Sequence, residues 1–77
     1  MDGRAEALEF HIQKGSPVIG RPIKDLLLID NLLICSIYRK GKPMIPNGQD
    51  HMEEDDLVVV VTTKKGLHDV KDILKRG

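Results

Sequence analysis

The chain has 77 residues, with 12 basic and 12 acidic side chains and a formal net charge of zero. Apolar residues make up 40% and charged residues 31%, a globular composition that excludes intrinsic disorder and leaves room for one small domain. Balanced charge, one Phe, one Tyr and no Trp argue against a nucleic-acid surface, and no apolar run reaches the roughly 20 residues of a membrane helix.

The start lacks the apolar core of a signal peptide. Met1-Asp2-Gly3 reads as a cloning remnant, and the chain as a fragment of a longer protein. In residues 6–12, Leu8, Phe10 and Ile12 alternate with Glu9 and His11, the period of a half-buried strand. Ala5 to Leu8 are good helix formers, so a helix is the competing reading there. Lys14-Gly15-Ser16-Pro17 ends the element. Pro22 opens a short helix over about 22–27, with Ile23 and Leu26 on one face.

The apolar run Leu26-Leu27-Leu28-Ile29 is more than one short helix can bury, so part of it is expected to face a partner. Residues 32–38 are too short for a typical helix and read as a central strand. Gly41 supplies a tight turn, after which Met44 and Ile45 return as a short strand that Pro43 and Pro46 confine to an edge. Pro46-Asn47-Gly48 is a second turn. Residues 50–56 form an acidic connector. Leu57 to Thr63 is the clearest strand, β-branched from Val58 onward and expected to be covered on both faces. Leu67, Val70, Ile73 and Leu74 fall at helical intervals, so a C-terminal helix is expected over 67–75, with Lys71, Lys75 and Arg76 complementing its dipole.

The order is strand, short helix, hairpin, strand, C-terminal helix. That is an α+β domain on a small antiparallel or mixed sheet. Its core must be mainly aliphatic, and a core of this size supplies only about 3–5 kcal/mol. Cys35 is the single cysteine, so no internal disulfide forms, and no Cys/His spacing suggests zinc. The missing stability is expected from a partner, such as a second copy.

Three segments in this order resemble a known family. They are Val-Ile-Gly-Arg-Pro-Ile-Lys-Asp-Leu (18–26), the hairpin 33–48 ending Ile45-Pro46-Asn47-Gly48, and Asp56 followed by Leu-Val-Val-Val-Val. Together they resemble the C-terminal domain of RCK-type (regulator of potassium conductance) proteins, specifically the TrkA-C version in Trk-type potassium uptake regulators. The family's usual Gly before the Asp is Asp55 here.

The resemblance implies a homodimeric, non-enzymatic regulatory domain of a potassium uptake system. It implies an upstream NAD-binding Rossmann domain, whose Gly-rich phosphate loop is absent from this chain. It also implies a cytoplasmic location, on the inner face of the membrane through a potassium-translocating subunit. Some relatives bind cyclic di-AMP between two copies. Carried over, that site uses Val18 and Ile19 as apolar contacts, Lys24 as phosphate partner and Pro46 as a wall. A polar Asn of those relatives falls on Leu33, with Asn31 nearby but out of register. The plainer readings are dimer packing for Val18 and Ile19 and solvent for Lys24. The alternative for the whole chain is a structural dimerisation or adaptor domain that binds no ligand.

Catalysis has no motif to rest on: the three histidines lie in three separate elements, and Cys35 in an apolar strand reads as a small hydrophobe. Asp50, His51, Glu53, Glu54, Asp55 and Asp56 have carboxylates for a divalent cation but not the spacing of a calcium loop, and read as a solvated acidic turn.

Overall fold

The alternation and the β-branched runs produce four strands in the computed structural model, which describes residues 4–76. The cloning remnant expected at 1–3 lies outside the described residues. The strands are β1 (Glu6–His11), β2 (Leu32–Arg39), β3 (Lys42–Met44) and β4 (Leu57–Thr62). They form one sheet in the order β1-β4-β2-β3, with every pair antiparallel. The three-residue β3, carrying Pro43, takes an edge, where a missing N–H breaks no ladder. Ile45 lies beyond it and is exposed.

One face of the sheet carries the core. Phe10, Ile34, Ile37, Val58 and Val60 are buried there. Ile34 and Ile37 are three apart, which a regular strand would place on opposite faces. A bulge between Ile34 and Ser36 inserts one residue and brings both inward. Cys35 sits in that bulge and is half-buried. The other face is less covered than the sequence suggests: Leu57, Val59 and Val61 are half-buried and Leu33 is exposed.

Irregular segments close the core from the other side. Ile12, Val18, Met52 and Ile73 are fully buried, and burying a side chain of that size stabilises by about 1.5–3 kcal/mol. The short helix expected over 22–27 is a 3₁₀ turn of three residues, Ile23–Asp25. Beyond it Leu26 is buried and Leu27 is 69% exposed, because the chain is extended here and its side chains alternate.

The C-terminal helix expected over 67–75 does not form. A four-residue 3₁₀ turn, Val70–Ile73, stands in its place. Its apolar spacing of three fits the three-residue 3₁₀ repeat as well as the α-helix. Asp69 caps the turn through the N–H of Val70, and the Asp72 carboxylate accepts from the N–H groups of His68 and Asp69. Those two bonds, led by the one from His68, hold the Asp72 carboxyl below the usual carboxylate range. Leu74 then turns extended and bridges to Leu28, while the N–H groups of Ile29 and Lys75 donate to the carbonyls of Ile73 and Leu27. Pairing with residues 27–29 wins over a second helical turn. The dipole role of Lys71, Lys75 and Arg76 falls with the helix.

Candidate functional site

Residues 19–24 lie against residues 48–52, and backbone hydrogen bonds zip the two segments together. The N–H groups of Gly20, Ile23 and Lys24 donate to the carbonyls of Met52, Asp50 and Gly48 at 3.2, 2.9 and 2.9 Å. Gly20 turns with φ +81°, a conformation that favours glycine. Gly48 is needed for a different reason. A Cβ there would stand 3.2 Å from the Lys24 Cβ, so the absent side chain permits the close approach.

Of the four residues singled out from the sequence, Ile19 and Lys24 lie on this seam, and Val18 and Pro46 flank it. Val18 is fully buried in the core and its side chain does not reach the surface. Ile19 is half-buried, bridged to Met52. Lys24 is exposed beside Gly48, two residues along from the half-buried Pro46. Lys24 and the Pro46–Gly48 turn are therefore neighbours, with Ile19 on the same seam. Two clefts among the described residues, one at 64–67 and the C-terminal stretch and one at 31–33 and 61–63, are lined by none of the four.

An ion-pair cluster fastens the seam to the sheet. Asp56, 1% exposed, accepts from Arg39 Nε and Nη2 at 2.9 Å each, and from the Glu53 N–H at 2.8 Å. The same guanidinium donates to the carbonyl of His51 at 2.9 Å and pairs with Glu53 at 3.1 Å. Burial pushes the Asp56 carboxyl up, but the hydrogen bonds from Arg39 and the Glu53 N–H outweigh it and hold the carboxyl below its ordinary value. The partnered Asp56 in turn raises the Arg39 guanidinium. The bulge in β2 serves this cluster, since it puts Arg39 in phase with Ile37 on the core side.

The connector 50–56 is thus not the wholly solvated acidic turn that its composition suggests. Met52 is core and Asp56 is a buried anion with its counter-ion. Among the described residues, no group of three metal-ligating side chains gathers. Asp55 has φ +71°, the left-handed region, which explains why a glycine is usual at this position of the resembled family. Its side chain reaches His11 at 3.3 Å.

A family model described as the TrkA-C domain matches residues 7–75. A Trk system potassium uptake protein TrkA homolog of Archaeoglobus fulgidus is 35% identical over 71 residues, covering 92% of this chain and 16% of that protein. A homolog of the same description from Pyrococcus abyssi is 33% identical over 73 residues, covering 94% and 32%. The Trk system potassium uptake protein TrkA of Azorhizobium caulinodans is 28% identical over 75 residues, covering 97% and 16%. The chain therefore spans between a sixth and a third of the length of these relatives.

Proposed function

The chain belongs to the TrkA-C domain family, and from that membership we propose that it is a regulatory, non-catalytic module of a Trk-type potassium uptake system. It pairs with a second copy of itself. It takes a small phosphate-bearing effector, such as cyclic di-AMP, at the two-fold interface, and passes the change to a potassium-translocating membrane subunit at the cytoplasmic face. An NAD-binding Rossmann domain belongs to the same assembly.

The observation that carries this reading is the seam. It carries the exposed Lys24 against Gly48, two residues from Pro46 in sequence, with Ile19 at its other end, on loops that backbone hydrogen bonds and the Arg39–Asp56 pair hold in place. A two-fold axis beside such a face sets one ammonium from each copy toward one of two phosphates. Ile45 is 87% exposed next to Pro46 and supplies an apolar rim for the second copy. Val18, fully buried in the core, makes no direct contact with the effector in this reading.

Sedimentation velocity with and without cyclic di-AMP tests the reading. A dimer that tightens with the nucleotide is expected, together with a raised unfolding midpoint, since a ligand specific for the folded state must stabilise it. A monomer at every concentration, with no midpoint shift, would instead favour the adaptor domain that binds no ligand.

A further inference from the structure

Beyond the Lys24 face and independently of it, we infer that the cleft between residues 64–67 and the C-terminal stretch binds the phosphate groups of a soluble, polyphosphate-bearing ligand. The cleft has a volume of about 790 Å³, within the range of small-molecule sites. Lys64, Lys65, Lys71, Lys75 and Arg76 line it. Five of the 12 cations of a chain with zero net charge converge on one concavity.

The two carboxylates on the same wall are already engaged. Asp72 accepts from two backbone N–H groups, and Asp30 stands 3.8 Å from Lys75. Lys64, Lys65 and Lys71 form no ion pair among the described residues. The backbone N–H groups of Lys65, Gly66 and Leu67 meet no protein acceptor among those residues either. Gly66, at φ +81°, turns this stretch. Free N–H groups beside ammonium groups are the donors that phosphoryl oxygens take up.

The lining selects the ligand class. Lysines dominate, and their ammonium groups act as compact point charges that suit several adjacent anionic oxygens rather than one planar carboxylate. No aromatic ring lines the cleft, so the phosphates, not a stacked base, are what it reads. Leu67 and Leu74, both half-buried, give it an apolar floor beside the exposed cations. A recess can enclose a short run of phosphates. A bilayer presents its headgroups as a plane, which favours the soluble source over a lipid.

The test is an amide-resolved NMR titration of this chain with inorganic tripolyphosphate, run beside sulfate at matched ionic strength and beside phosphatidylglycerol vesicles. Saturable shifts at residues 64–67 and 71–76 are expected. The affinity should fall about tenfold or more when Lys64→Gln, Lys65→Gln and Lys71→Gln are combined, and should be unchanged in Lys42→Gln, an exposed edge-strand lysine outside both sites. These lysines are exposed, so the fold survives their replacement. Absence of saturable shifts, an equal response to sulfate, a response to vesicles alone, or an unchanged triple variant would overturn the inference. Shifts at residues 19–24 and 46–48 would report binding at the Lys24 seam instead, so the two sites stand or fall separately.

Discussion

Replacing Asp56 by Ala removes two 2.9 Å hydrogen bonds from Arg39 and one of 2.8 Å from the Glu53 N–H. Deleting one partner of a buried ion pair costs about 3–5 kcal/mol. The Arg39 side chain is 29% exposed and keeps the His51 carbonyl and Glu53, so it is partly rehydrated and the lower end applies, about 3 kcal/mol. For a domain of this size that lowers the midpoint by about 12–24 °C. Arg39→Met should cost more, because it strands a carboxylate that is only 1% exposed. Urea unfolding followed by far-ultraviolet circular dichroism measures both, and a double-mutant cycle isolates the pair. Coupling above about 1.5 kcal/mol is expected. Single losses below about 1 kcal/mol, or additivity within about 0.5 kcal/mol, would refute the role given to this pair.

Asp55→Gly should stabilise the chain by about 0.5–1 kcal/mol, since it relieves a left-handed φ at the loss of only an exposed contact to His11; thermal unfolding reads it directly. Gly48→Val should destabilise by about 1–2 kcal/mol and weaken effector binding together, because the new Cβ meets the Lys24 Cβ at 3.2 Å; thermal melts beside cyclic di-AMP titration check both. The folded-state pKa of Asp56 lies below its unfolded value of about 3.9. The stability this provides is therefore fully present above that pH and is lost as pH falls toward the folded value. Urea midpoints in an acid series should drop steeply in the native chain and less steeply in Asp56→Asn.

The strands were legible because their signals are local: alternation in Leu8, Phe10 and Ile12, and the β-branched run at 57–62. Edge placement of β3 followed from Pro43. What stayed hidden depends on distant partners. The bulge at Cys35 is decided by which residues must face Val58 and Val60, not by the β2 sequence itself. The residues at 67–75 look helical by spacing, yet residues 27–29 recruit Leu74 as an extended partner. Met52 and Asp56 sit in a stretch that composition marks as solvated. Their signal was a lone apolar residue among acids, and an Arg in phase on a neighbouring strand 17 positions away. Lys24 and Pro46 were singled out by resemblance alone. The approach of Lys24 to Gly48 was not legible, since it rests on hydrogen bonds between segments more than 20 residues apart. The basic cleft was not legible because its cations come from two segments: Lys64 and Lys65 follow a strand, while Lys71, Lys75 and Arg76 looked like dipole partners of a helix that does not form.

Calorimetric titration of the chain with cyclic di-AMP, in parallel with Lys24→Ala, bears most directly on the regulatory reading. One nucleotide per two chains is expected, with affinity lost in the variant while its fold and melting midpoint stay intact. No heat of binding, one nucleotide for every chain, or equal affinity in the variant would contradict a two-fold effector site built on the Lys24 face.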